Sequence, residues 1–278
     1  HPEVQLTLFL HGTLWAGYAL GDQTKEKNRS FDNKLDDMKY NNPPIIEAIF
    51  DIRVDGISEF SIDKIENLHS EIISEYPNKK RQVNLIGKIE FKDNIQVSNE
   101  SDSQINGVVF LNKNSSRQVQ FRKDGFTFNM LKPYSEWKEF SSEALKLWSI
   151  YYKNLAPKSI VRIALRYINK IEIPLPLHDF QEFIINMPPI PSCLPQTFSN
   201  FFMQTEIPCS NNGTSVIITE TFEKPINVLP FILDIDIYKT GEIKNDIQEL
   251  TKEFDLLRDL KNQTFGSCIT DNTRKLFD

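Results

Sequence analysis

"VRIALRYINKIEI", residues 161–173, alternates two chemistries along one run. Val161, Ile163, Leu165, Tyr167, Ile171 and Ile173 fall on one side, and Arg162, Arg166 and Lys170 on the other, because successive strand side chains point to opposite faces. The apolar side is continuous enough to lie on a core. The stretch therefore reads as a central strand of an antiparallel sheet with one covered face and one open face. Three cations, roughly 13 Å apart at about 3.3 Å per residue, line the open face. Asn169 interrupts the apolar side. Buried there it must hydrogen-bond, so the pattern predicts a bulge or a structural contact at that point.

Working outward, the same kind of strand opens an earlier segment. "IIEAIFDIRV" (45–54) places Ile46, Ala48, Phe50, Ile52 and Val54 on one face and turns Arg53 to the other. A helix follows over 61–76, with Ser61 at its cap and Pro77 beyond its end. Strand patterns then run through "QVNLIGKIEF", "GVVFL", "RQVQFRK" and "FTFNML", the last two separated by Asp124-Gly125, a strong hairpin signal. A long amphipathic helix begins after Pro133, with Trp137, Phe140, Ala144, Leu147, Tyr151 and Leu155 on its apolar stripe.

After 161–173 the order recurs: a short helix in "HDFQEFIINM", strands in "TSVIITETF" and "PFILDIDIY", a long helix over 245–264, and a last turn capped at Thr270. The expected fold is therefore α+β, built from two tandem β-α-β(n)-α units at 38–157 and 158–278, with helices on one face of the sheet. In element order this is similar to the TATA-binding-protein fold. The second unit carries an insertion, 187–213, that holds five of the fifteen prolines. Its Phe198, Phe201 and Phe202 either fold back on the core or form a partner surface.

Residues 38–157 carry 16 acidic and 16 basic groups, and 158–278 carry 16 against 12. That balance argues against a general polyanion binder and leaves room for a local basic patch. Cys193, Cys209 and Cys268 are too widely spaced for a disulfide framework or a paired zinc site; they read as small buried hydrophobes in a reducing cytoplasm. The apolar stretch 4–21 is broken by Gln, His, Thr and Gly, which suits neither a membrane span nor a secretion signal. Residues 1–37 accordingly read as an extension outside the core.

Five segments together carry a resemblance: "YNNPPIIEAIFDIRVD" (40–55), "EWKEFSSEALKLW" (136–148), "IALRYINKIEIP" (163–174), "FILDIDIY" (231–238) and "LRDLKNQTFGSCITDNTRKLF" (257–277). Over residues 38–278 the chain resembles an uncharacterised protein family distributed sporadically among bacteria and archaea. The resemblance implies no particular activity. Patchy distribution implies mobile genes, such as defence or toxin–antitoxin islands.

Two sets of residues carry chemistry. Arg53, Arg162, Arg166 and Lys170 share the open face and suit an anionic ligand, a phosphate backbone or a protein partner. The alternative is a solvent face in which they pair with carboxylates such as Glu47, Asp51 and Glu172. Asp234 and Asp236 lie at i and i+2 on one strand, with Glu220 on a neighbour. Such carboxylates can hold Mg²⁺ for phosphoryl or nuclease chemistry, and the cations across the sheet compete for them. G-x-S-x-G, Walker A and G-x-G-x-x-G motifs are absent. The expectation is a recognition protein rather than an enzyme, without a cofactor, whose open face takes a macromolecule or an anion. A metal-dependent enzyme acting through Asp234, Asp236 and Glu220 is the alternative.

Overall fold

The computed structural model describes residues 40–87, 101–209 and 212–278. Residues 1–37, and the end of the strand pattern expected at 82–91, lie outside that set. The alternating segments become nine strands: β1 (Ile45–Asp55), β2 (Asn78–Gly87), β3 (Ser101–Leu111), β4 (Arg117–Arg122), β5 (Gly125–Leu131), β6 (Ser159–Pro174), β7 (Phe202–Pro208), β8 (Thr214–Phe222) and β9 (Val228–Ile243). They form a single antiparallel sheet in the order β2-β3-β4-β5-β1-β6-β9-β8-β7. β1 and β6 lie side by side, with Phe50 opposite Leu165. On its other side β1 pairs with β5, and β6 pairs with β9. The stretch that opened the sequence is thus enclosed by strands on both sides, as its continuous apolar row requires.

Two long helices, α3 (Trp137–Leu155) and α4 (Ile247–Cys268), pack on one face of this sheet. α4 starts at Asp246, whose side chain accepts from the backbone N–H groups of Gln248 and Glu249 and so satisfies two donors of the first turn. The core between helices and sheet is mainly aliphatic, with aromatic rings stacked through it. Phe50 of β1 stacks on Phe254 of α4 at 3.6 Å between ring centroids, and Phe128 stacks on Phe140 of α3 at 5.4 Å. All four rings are fully buried, each contributing about 1.5–3 kcal/mol relative to exposure.

The Asp124-Gly125 signal marks a tight turn, with Lys123 and Asp124 between the strands and Gly125 opening β5. Gly125 has φ +153°, and a Cβ there would stand 2.2 Å from the carbonyl oxygen of Ile52, so the pairing of β5 with β1 needs glycine at this position.

Several elements differ from expectation. The helix at 61–76 is two short pieces, α1 (Ile62–Asn67) and α2 (His69–Ile72), and Ser61 occupies the cap position without a side-chain bond. The expected helix at 178–187 shrinks to a single 3-10 turn, Phe180–Glu182, held by Asp179 accepting from the N–H of Gln181. The turn capped at Thr270 is α5 (Asp271–Arg274). Within the insertion, Phe198 and Phe201 fold back onto Phe180 and Phe222, whereas Phe202 turns outward and is 68 % exposed. Cys193 and Cys209 are exposed, not buried as their residue type suggested, since Cys193 lies in the irregular proline-rich segment and Cys209 directly after β7, the last strand of the sheet; only Cys268 is buried. Asn169 meets its expectation: its Nδ2 donates to the carbonyl of Leu233 at 3.0 Å, beside a register shift in the β1–β6 pairing.

Candidate functional site

The strand pairings bring the predicted cation row to the face opposite α3 and α4, interleaved with carboxylates. Arg53 donates to Asp51 at 3.1 Å and to Asp124 at 2.6 Å. Arg162 bridges Asp51 at 3.2 Å and Asp236 at 3.3 Å, with its guanidinium 4.7 Å from the ring centre of Tyr238. Arg166 grips Asp234 through both Nε and Nη2, the latter at 2.5 Å. Lys170 reaches Glu223 at 2.7 Å. Of the carboxylates expected to pair with the row, Asp51 does so. Glu47 instead accepts from Asn129 at 2.6 Å, and no ion pair forms at Glu172 among the described residues.

The arrangement centres on Asp51, which is buried. It also receives Arg122 at 3.1 Å and the hydroxyl of Thr127 at 2.6 Å. Burial pushes its carboxyl up, but Arg122, Arg53, Arg162 and Thr127 together outweigh that and hold it below the usual range. Arg122 escaped the sequence reading. The signal was present: in the run before the hairpin turn, Gln118, Gln120 and Arg122 alternate against Val119 and Phe121. The row is thus graded, from the buried Asp51–Arg122 pair to Arg166, whose side chain is 42 % exposed.

The three carboxylates considered for a metal do not converge. Asp234 and Asp236 are on the open face, held by Arg166 and Arg162. Glu220 pairs across the sheet with Leu233 and points the other way, into the helix-covered side. That is a correction: a register fixed by backbone pairing places Glu220 on the face that Val216 and Leu233 share, out of reach of the aspartates. Among the described residues no group of three or more His, Cys, Asp or Glu gathers in a metal-holding arrangement. Glu220 is 2 % exposed, its Oε1 has no partner, and burial pushes its carboxyl up to about 7. Asp236 likewise has a buried, unpartnered Oδ1, and burial pushes its carboxyl up against the pull of Arg162 and Arg166.

A second locus lies on the helix-covered side, where no sequence signal was read. A cavity of about 700 Å³ opens between the chain preceding β1, the Tyr134–Lys138 segment, β6 and the second half of α4. Arg258 and Lys261, one helical turn apart on α4, stand in its wall. Lys261 Nζ lies 4.1 Å from the ring centre of Tyr167 and donates to Asn262 at 2.5 Å. The hydroxyls of Tyr134 and Tyr167 are 3.0 Å apart, and Trp137 donates its indole N–H to Asp255 at 2.7 Å. Burial and the Arg258 charge lower the Lys261 ammonium to about 7.

Comparison of the chain with protein-family models and with curated proteins yields no match. Among the described residues no helix is long and apolar enough to cross a membrane.

Proposed function

We propose that this chain is a member of the sporadically distributed prokaryotic family it resembles. On this reading it works in the cytoplasm as a non-catalytic recognition protein, in a defence or mobile-island setting, and its open sheet face binds a protein partner. The observation that supports this is the charge ladder. Every cation of the row is held by a carboxylate on the same face, so the ladder is ordered before a partner arrives and is close to neutral as a whole. A polyanion would have to displace those carboxylates. A protein surface of complementary mixed charge would not, and it would gain register from the ladder. Exposed Phe202 lies on the same face, opposite Thr221, and offers an aromatic anchor beside the charges.

The test is affinity purification from the native host of the wild-type chain and of Arg166→Ala/Lys170→Ala, with mass spectrometry and absorbance at 260 nm. The expected result is one protein recovered at defined stoichiometry with the wild type and lost with the variant. Co-purifying nucleic acid in its place overturns the partner class. A protein partner retained by the variant overturns the site.

A further inference from the structure

The cavity beside α4 has no part in the charge ladder and lies on the other face of the sheet. Three cations line it, Lys138, Arg258 and Lys261, and the two on α4 are less closely paired than those in the ladder. Among the described residues no carboxylate lies within ion-pair distance of Lys261, whose only polar contact is the side-chain oxygen of Asn262. Arg258 reaches its own neighbour Asp259 at 3.5 Å, and Asp255 is engaged by Trp137. Against one carboxylate in the wall, Glu136, the three cations leave a local surplus of basic groups in a chain whose net charge is −6. Around them the wall is aromatic: Trp137 with Arg258 at 6.0 Å from its ring centre, Tyr167 beneath Lys261, and Tyr134 against Tyr167 at 5.5 Å. A volume of about 700 Å³ is in the range of small-molecule sites, which run from about 300 to 1,000 Å³.

We infer that this cavity binds a small organic anion with a planar ring, its carboxylate or phosphate held between Arg258 and Lys261 and its ring against Trp137 and Tyr134. The guanidinium offers a two-donor fork to either anion, and the ammonium adds a point charge beside it. The aromatic wall takes the ring by stacking, in addition to the area buried. The titratable and charged groups that line the cavity with Lys261 are Arg258 on its own helix, Tyr167 from β6, Tyr134, Glu136 and Lys138 from the segment that opens α3, and Tyr40 from the chain before β1. The three tyrosines keep their protons at neutral pH, since burial raises each of them, Tyr134 to about 12. Lys261 is then the group on the cation side whose charge changes near neutrality. An anion draws a proton onto it, so binding weakens as pH rises from about 7 toward 9.

The experiment is isothermal titration calorimetry of the whole chain with phenyl phosphate, 3-phenylpropanoate, a nucleoside monophosphate, inorganic phosphate and benzyl alcohol. At least one ring-bearing anion is expected to bind, tighter than inorganic phosphate and far tighter than the neutral alcohol. Which anion binds best distinguishes a phosphate from a carboxylate ligand. Lys261→Met and Arg258→Gln should each weaken it at least tenfold while the melting temperature stays put, and Lys261→Arg should retain binding but lose the pH dependence. Failure of every ring-bearing anion to bind overturns the inference, as does binding that survives Lys261→Met together with Arg258→Gln. Inorganic phosphate binding as tightly as phenyl phosphate removes the ring from it. None of these outcomes bears on the partner surface, whose test reads Arg166 and Lys170.

Discussion

Asp51 and Glu220 are both buried carboxylates on strands of the same sheet, and they meet opposite fates. Asp51, on the open face, is surrounded by Arg53, Arg122 and Arg162 and by the hydroxyl of Thr127. Glu220, on the helix-covered face, has a carboxyl oxygen with no partner. One is held below the ordinary carboxylate range and the other is pushed up to about 7. Burial acts on both in the same direction; the partners decide the outcome. The open face is therefore stabilised by charge only while its network is complete. The covered face carries a charge that it would fold more readily without.

The largest effect should come from breaking the network at its centre. Asp51→Ala leaves Arg122 buried without its main counter-charge and should cost about 3–5 kcal/mol, read as a lower denaturation midpoint in urea. A loss below about 1 kcal/mol would make the network no more than a set of surface pairs. Glu220→Gln probes the other side of the comparison, and its sign is opposite. The folded carboxyl near 7 stands above the ordinary value of 4.5, so from about pH 4.5 upward the unfolded chain binds fewer protons than the folded one. Wild-type stability should fall as pH rises through that window to about 7 and stay lower above it. The glutamine variant should lack this slope and be more stable at pH 8 by about 1–3 kcal/mol. Parallel pH profiles for the two proteins would show that Glu220 is solvated. The smallest effect is expected at the exposed end of the ladder. Arg166→Ala should change stability by at most about 1 kcal/mol, because its pair with Asp234 is screened by solvent. A larger loss in thermal or urea melts would extend the buried network to the end of the row.

Much of the architecture is legible along the chain. The apolar row of β6, the hairpin turn at Gly125 and the stripes of α3 and α4 are local periodicities, and each locates its element. β7 is not legible, since it follows a proline-rich run and lies exposed at the end of the strand order. The cation row was readable from alternation within β6. That Glu220 lies apart from Asp234 was not. Alternation assigns faces within one strand, but only the pairing of Glu220 with Leu233 relates β8 to β9. The α4 cavity was hidden for a similar reason. Arg258 and Lys261 share a helix face, yet Tyr134, Tyr167 and Asn169 line the cavity with them from roughly ninety residues or more away in the chain.

The adjacency of β1 and β6 has a consequence for synthesis. β1 finds one neighbour within its own half, β5, but its other neighbour begins at Ser159. At about 5–20 residues per second, a ribosome needs on the order of ten seconds to deliver that strand after β1 has emerged. For that interval the first half can hold β5 against β1 while the opposite flank of β1, from Ile45 to Asp55, waits with its backbone N–H and C=O groups unmatched. The middle of the finished sheet is thus a boundary of the nascent one. Shielding by a chaperone should matter most there, between translation of the first half and emergence of Pro174.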